Sequence, residues 1–114
     1  MARRNNRRHD RNLVDVTIRI GWRNEAGMEL TALTRSFDIS TSGMRFEMFE
    51  RISLRTDVML RGDKIGLQTR ATVRHCAPKG NRYAIGVEFA GGYRWSPPND
   101  EVRRILQEAE MLSV

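Results

Sequence analysis

Residues 65–89 read IGLQTRATVRHCAPKGNRYAIGVEF, two stretches of alternating apolar and polar side chains around a turn-forming segment. Alternation places successive side chains on opposite faces of an extended chain, which is typical of a half-buried β-strand. The segment APKGN, residues 77–81, contains the proline, glycine and asparagine that favour a turn. The stretch therefore predicts a long strand, a turn and a final antiparallel strand. The predicted apolar faces consist of Ile65, Leu67, Thr69, Ala71 and Val73, and of Tyr83, Ile85, Val87 and Phe89.

The same alternation occurs in four earlier segments, each separated from the next by turn-forming or polar residues. Six alternating segments with short connections predict an antiparallel sheet closed into a barrel, because closure removes the exposed strand edges. No alternation of strands and helices is present that would indicate a parallel sheet. The four earlier strands are predicted at 13–20, 28–37, 44–48 and 58–60, with breaks at 21–27 and 38–43 and a tight hairpin turn at Gly62-Asp63.

The carboxyl-terminal part of the sequence has a different periodicity. The segment Ser96-Pro97-Pro98-Asn99 supplies a helix start signal. Apolar residues then follow at helical spacing, which predicts an amphipathic helix over about 99–112 that lies across the barrel. The predicted fold class is therefore all-β, a six-stranded antiparallel barrel with a C-terminal α-helix. The apolar positions of the helix are Val102, Ile105, Leu106 and Ala109.

Positive charge is concentrated at the amino terminus. The 114 residues carry a net charge of +6, and residues 1–12 contain five arginines against one aspartate. A chain of this length fits one compact domain. We therefore predict a flexible basic arm over residues 1–12 and one barrel domain with its helix over residues 13–114. A basic arm indicates an anionic partner, which is a nucleic acid, a nucleotide or an acidic protein surface. The alternative is a solvated tail that only increases solubility.

Several function classes lack support in the sequence. No apolar run reaches the roughly 20 residues of a membrane span, and the amino terminus lacks a secretory signal, so we expect a cytoplasmic protein. The single cysteine, Cys76, excludes an internal disulfide. His9 and His75 have no partner at metal-ligand spacing, and no nucleophilic triad or carboxylate pair stands out. We therefore expect no enzyme activity, no metal and no cofactor.

The first pattern that suits an anionic ligand is RRHDR, residues 7–11. It places Arg7 and Arg11 four positions apart just before the first predicted strand. Guanidinium groups fork onto phosphate oxygens or onto the O6/N7 edge of guanine, and they stack on purine faces. The pattern therefore predicts a site for an anionic ligand such as a nucleotide.

The second pattern is DISTSG, residues 38–43, at a predicted turn between strands. Asp38 can accept hydrogen bonds from N1–H and N2–H of guanine, and Ser40 can donate one to a phosphate. Gly43 can adopt a positive φ. The alternative is that Asp38 and Ser40 cap the turn by bonding to their own backbone.

The two patterns together are more informative about function than either one alone. The order RxxxR, a strand pair and then DxSxxG, in a six-stranded chain that ends in a helix, resembles the PilZ domain, a bacterial receptor for cyclic di-GMP. The strand NRYAIGVEF, residues 81–89, is also similar to the closing segment of that family, in which a small residue precedes an apolar-x-Phe ending. The resemblance covers essentially the whole chain and implies a stand-alone receptor.

The resemblance also implies a role for each motif residue. Two arginines would grip guanine and phosphate, a carboxylate would bond a guanine edge, a hydroxyl would contact phosphate and a glycine would permit the turn. In some members of the family an aromatic residue of the long strand stacks on guanine; this chain has Thr72 and Arg74 in that region, so such stacking would come from Arg74 or be absent. Asn6 occupies the position where an arginine favours an intercalated pair of ligands, so the stoichiometry stays open. The implied ligand-binding residues are Arg7, Arg8, Arg11, Asp38, Ser40, Gly43 and Arg74.

We expect such a receptor to signal through an unidentified protein partner, with ordering of the arm on the ligand as the physical step. One alternative is a small β-barrel that binds RNA or DNA through the basic arm, as barrels of the OB type do. The predicted exposed strand faces carry few aromatic rings for base stacking, because Tyr83 and Phe89 lie on apolar faces and Trp22 and Trp95 lie in predicted loops. The other alternative is a PilZ-like adaptor that does not bind the ligand.

Overall fold

A computed structural model describes residues 16–97, apart from the side chain of Phe37. The predicted basic arm over residues 1–12 and the predicted helix over about 99–112 lie outside the described residues. Within residues 16–97, no helix has the length and apolar content needed to cross a membrane.

Six strands form a closed barrel in the order β1-β2-β3-β6-β5-β4, and every neighbouring pair is antiparallel. The predicted six-stranded antiparallel barrel is therefore confirmed. In this closed order β1 and β6 lie on opposite sides of the barrel. The elements are β1 (Val16–Arg23), β2 (Glu29–Ile39), β3 (Gly43–Met48), β4 (Asp57–Gly62), a 3-10 turn (Asp63–Ile65), β5 (Leu67–Lys79) and β6 (Arg82–Phe89).

The core fills the inside of the barrel with side chains from all six strands. Alternate residues of each strand point inwards, as the periodicity predicts, and burial of each large aliphatic side chain contributes about 1.5–3 kcal/mol. Trp95, which follows β6, is also buried, and its indole Nε1 donates a hydrogen bond of 2.8 Å to the carbonyl of Ile65. The buried strand residues include Ile18, Ile20, Trp22, Ile39, Met44, Phe46, Met48, Val58, Leu60, Leu67, Ala71, Val73, Ile85, Val87 and Phe89.

The prediction that Trp22 lies in a loop is wrong. This residue lies in β1, which continues to Arg23, and its side chain is only 7% exposed. The turn that follows is shorter than predicted because Asn24 closes it: its Oδ1 accepts hydrogen bonds of 2.9 Å from the backbone N–H groups of Ala26 and Met28. The side-chain cap lets β1 and β2 stay paired as far as Arg23 and Glu29.

Other connections also differ from the predicted ones. The prediction of a tight hairpin turn at Gly62-Asp63 is wrong. A 3-10 turn lies between β4 and β5 and ends at Gly66, which has a φ of +65°. The turn predicted at 77–81 shortens to two residues, since β5 stays paired as far as Lys79 opposite Arg82. Likewise, the predicted break at 38–43 shortens, because β2 runs to Ile39 and β3 begins at Gly43.

Candidate functional site

A groove of about 590 Å³ lies on the outside of the barrel, across β2, β3, β6 and β5. Its volume falls within the range of small-molecule sites. Asp38, Ser40 and Gly43, which share one short motif, line it together with Arg74, which lies about 30 residues further along the sequence. The structure thus brings together the four predicted ligand-binding residues that it describes. The other three, Arg7, Arg8 and Arg11, lie outside the described residues.

One row of cross-strand partners forms the middle of the groove. Asp38 of β2 lies opposite Arg45 of β3, which lies opposite Gly86 of β6, which lies opposite His75 of β5. Because Gly86 has no side chain, the row has bare backbone at this position, which we call the floor of the groove. Polar side chains stand on both sides of it, Asp38 and Arg45 on one side and His75 on the other. Ala84 also lines the groove and is likewise small. The floor therefore allows a flat ring to approach the sheet closely.

Two irregularities in the sheet border the groove. The register shifts between Ser36 and Asp38 in β2, and again between Val73 and His75 in β5. A β-bulge adds one residue to a strand and redirects the neighbouring side chains. Arg74 is the extra residue of the second bulge, and its side chain is exposed on the groove side. The bulges therefore determine the positions from which the side chains of Asp38 and Arg74 reach the groove.

Gly43 does not have the positive φ predicted for it. Its backbone instead passes so close to β6 that a Cβ atom would collide with the carbonyl oxygen of Val87. Glycine is required at this position because of the close approach between strands, and the predicted reason was wrong.

The DISTSG turn is held by its own hydrogen bonds. The backbone N–H of Ser40 donates to the carbonyl of Gly43 at 2.8 Å, and the Ser40 hydroxyl donates to the same oxygen at 3.3 Å. This is the turn-capping role considered as the alternative for Ser40. Contact between Ser40 and a phosphate stays a prediction, and it requires the hydroxyl to rotate away from Gly43.

The turn is also fixed from outside. The carbonyl of Ser42 accepts a hydrogen bond of 2.8 Å from the backbone N–H of Phe89, and the carbonyl of Thr41 accepts one of 3.0 Å from Trp95. Trp95 is in turn buried at one end of the core. The backbone of this side of the groove is therefore held by β6 and by the segment that follows β6.

Charges of both signs surround the groove. Arg74 Nε lies 2.9 Å from Glu88 Oε1, and Arg45, His75 and Asp38 line the same surface. The lining thus offers guanidinium groups for phosphates and carboxylates for the N–H edge of a base. No group of three or more His, Cys, Asp or Glu side chains within residues 16–97 is placed to hold a metal ion. The chemistry of the groove suits an anionic ligand that also presents hydrogen-bond donors.

A further ion pair lies on the neighbouring part of β3. Lys79 Nζ lies 2.7 Å from Glu47 Oε2. The hydrogen bond from Lys79 lowers the pKa of the Glu47 carboxyl below its ordinary value. This glutamate therefore stays ionised at neutral pH, and its contribution to stability is lost as the pH falls through its lowered pKa.

Sequence reasoning did not identify Arg45, His75, Gly86 and Glu88 as part of a ligand site. Arg45, Gly86 and Glu88 lie on the polar or small-residue faces of predicted strands, where nothing distinguishes them from other surface residues. Simple alternation places His75 on the apolar face of its strand, and the bulge after Val73 changes that. The signal needed was the strand register, which places Arg45 and Gly86 beside Asp38. No feature of the sequence predicted the bulges that determine that register.

A family model described as the PilZ domain matches residues 3–108. No curated protein sequence matches the chain. Among solved structures, Bacillus subtilis inhibitor of motility (MotI/DgrA) is similar at 18% identity with a TM-score of 0.51, over 99% of this chain and 54% of that chain. K. pneumonia MrkH in its apo state is similar at 17% identity with a TM-score of 0.48, over 98% of this chain and 51% of that chain.

The family match agrees with the resemblance found in the motifs. The chain spans about half the length of the two solved proteins, and at such low identity the likeness to the Bacillus protein shows the fold alone. The family match is more informative because it includes both motifs and the whole barrel. On this match, the chain belongs to the PilZ domain family.

Proposed function

We propose that this chain is a receptor that binds cyclic di-GMP in the groove across β2, β3, β6 and β5 and relays binding to a partner protein. PilZ domains are ligand-binding receptor or adaptor domains rather than enzymes. One observation carries the proposal. Asp38 and Arg74, which come from two separate parts of the sequence, line the same groove, and each follows or occupies a β-bulge.

The groove offers chemistry for each part of the ligand. A cyclic dinucleotide of guanine presents two phosphates and two flat bases with N–H donors on one edge. In the proposal, Asp38 accepts hydrogen bonds from a guanine edge, and Arg74 and Arg45 bind phosphate or the O6/N7 edge. Arg74 and the neighbouring His75 also offer flat groups that stack on a base. The floor at Gly86 supports the proposal because it leaves room for a ring between these side chains.

The first motif is proposed to complete the site. Val16, the first described residue of β1, pairs with Ser36, which is two positions from Asp38 on β2. The chain therefore enters β1 beside the groove. Arg11 precedes Val16 by only a few residues, so it can reach at most about 17 Å from that point. This short tether supports the proposal that Arg7, Arg8 and Arg11 close over the ligand and that their ordering forms the surface read by the partner.

Calorimetric titration of the whole chain with cyclic di-GMP tests the proposal. We expect saturable binding, weaker binding of GTP, and no binding of a single-stranded RNA at physiological salt. Arg74→Ala should weaken the affinity about tenfold or more, the scale of a hydrogen bond to a charged group. Arg70→Ala, an exposed arginine on the same strand outside the groove, is the matched control and should not change it.

Two outcomes would contradict the proposal. An absence of heat and of any shift in melting temperature, at ligand concentrations well above micromolar, would favour an adaptor that binds no ligand. Tight RNA binding that persists at physiological salt, without a response to cyclic di-GMP, would favour a nucleic-acid-binding barrel.

A further inference from the structure

The outer face of β1 carries a glycine that the fold does not require. Gly21 lies between the buried residues Ile20 and Trp22, so its position faces outwards. Its φ is not positive, and a Cβ atom there would make only ordinary contacts, 3.8 Å from Thr31 Cγ2 and 4.0 Å from Met59 Cβ. A glycine within a strand costs roughly 0.5–1 kcal/mol relative to alanine. Where neither strain nor crowding explains it, such a glycine is typical of close approach by another molecule.

Exposed apolar side chains lie on both sides of this position. Leu33 on β2 is 64% exposed and Met59 on β4 is 51% exposed. Met59 is the cross-strand partner of Gly21, and Leu33 is the partner of Arg19, the next outward residue of β1. The outer face of a barrel normally carries polar side chains, so apolar residues on both strands beside β1 indicate a surface suited to contact.

Guanidinium groups surround the apolar residues. In the strand register Arg19 lies between Leu33 and Arg61, and Met59 lies between Gly21 and Arg70. Arg61 forms an ion pair of 2.9 Å with Asp63, whereas Arg19 and Arg70 form none with any residue in the range 16–97. We call this surface the Gly21 patch; it consists of Arg19, Gly21, Leu33, Met59, Arg61 and Arg70.

The patch adjoins a groove of about 520 Å³ that is lined in part by Arg19, Leu33 and Arg61. The surface is therefore partly concave and is not only a set of projecting side chains. In the closed strand order it is centred on β1, whereas the proposed nucleotide groove is centred on β6, on the opposite side of the barrel. The patch and the nucleotide groove share no lining residue.

We propose that the Gly21 patch docks an acidic polypeptide segment that carries aliphatic side chains. Carboxylates of the segment pair with Arg19 and Arg70, its aliphatic side chains cover Leu33 and Met59, and its backbone packs against Gly21. The patch contains no aromatic ring on which a base could stack, which favours a polypeptide over a nucleic acid. The patch is a docking site separate from the ligand-ordered surface of the proposed function, and it does not depend on the nucleotide.

An amide NMR titration of the whole chain with a synthetic peptide of alternating glutamate and leucine tests this assignment. We expect shifts at amides of β1, β2 and β4 around Gly21, with or without cyclic di-GMP, and none with a peptide in which lysine replaces glutamate. Arg19→Glu should weaken binding at least tenfold. Arg51→Glu, which makes the same charge change at an exposed arginine outside the patch, should leave it unchanged.

A second variant separates docking from folding. Gly21→Val places a residue with high β-propensity at an outward position where a Cβ atom makes only ordinary contacts, so the melting temperature should stay the same or rise. Peptide binding should nevertheless fall at least tenfold because the side chain blocks close approach. Equal peptide binding by Gly21→Val and the parent chain would overturn the assignment.

The remaining outcomes also decide the question. No shift at about 1 mM peptide, the scale of a very weak complex, would overturn the proposal. Shifts at the patch caused only by single-stranded RNA, or only by phosphatidylglycerol vesicles, would overturn it in favour of those ligands. Binding of the peptide by a chain that does not bind cyclic di-GMP would support the patch and contradict the proposed nucleotide function.

Discussion

Arg74 Nε lies 2.9 Å from Glu88 Oε1, and this ion pair stands at the edge of the groove. Both side chains are more than half exposed, at 59% and 57%. An exposed ion pair of this kind contributes about 0.2–1 kcal/mol, so a phosphate can displace the carboxylate at small cost. Glu88 therefore acts as a weak competitor for the guanidinium that we assign to the ligand.

Removal of this competitor should strengthen ligand binding. Glu88→Gln is expected to raise the affinity for cyclic di-GMP about two- to fivefold, which corresponds to the energy of an exposed ion pair. Calorimetry measures the change. Glu29→Gln, which removes the carboxylate from the exposed pair of Arg23 and Glu29 outside the groove, is the control. Weaker binding by Glu88→Gln would instead show that Glu88 contacts the ligand directly.

The first motif should contribute to binding and hardly at all to the barrel. Arg7→Ala and Arg11→Ala should each reduce the affinity for cyclic di-GMP by about 1.5–3 kcal/mol, the scale of a hydrogen bond to a charged group. The melting temperature without ligand should stay nearly constant. A drop of several degrees in both variants would show that the two arginines stabilise the fold and would contradict the assigned role.

Asp38 should determine which base is recognised. Asp38→Ala removes an acceptor for the guanine edge but makes the groove more positive, so discrimination should fall more than overall attraction. The ratio of the affinities for cyclic di-GMP and cyclic di-AMP measures this effect. Asp63→Ala, at an exposed aspartate outside the groove, should keep the parent ratio. The parent ratio in Asp38→Ala would leave only a turn-capping role.

Two glycines should respond in opposite ways to the same substitution. Gly43→Ala should destabilise the barrel by about 1–3 kcal/mol, because the Cβ collides with the backbone at Val87. Gly21→Ala should be neutral or stabilising by up to about 1 kcal/mol, because a Cβ fits there. Urea denaturation gives both values. Equal effects at the two positions would contradict the described packing of β3 against β6.

Much of the fold could be predicted because the alternation of side chains is local. Burial of Met44, Phe46 and Met48 on β3 follows directly from their spacing. The strand ends were less predictable because they depend on pairing with another strand. Lys79 extends β5 because Arg82 pairs with it, although Pro78 and Gly80 indicate a turn.

The site was predictable only where a motif identified it. Asp38, Ser40 and Gly43 share one short motif, so their closeness at the connection between β2 and β3 could be inferred. Arg45 and Gly86 lie beside Asp38 through strand register, which is a non-local property. The close approach at Gly43 also arises from the packing of two strands, which explains why the predicted positive φ was wrong.

The most direct test of the central claim is an assigned amide NMR spectrum recorded as cyclic di-GMP is added. The account predicts saturable shifts at amides of the groove, centred on Gly86 and including Arg45, Arg74 and His75. Amides of β1 around Gly21, on the opposite side of the barrel, should move much less. Saturable shifts confined to another face, or an unchanged spectrum at millimolar ligand, would contradict the assignment of the groove as a cyclic di-GMP site.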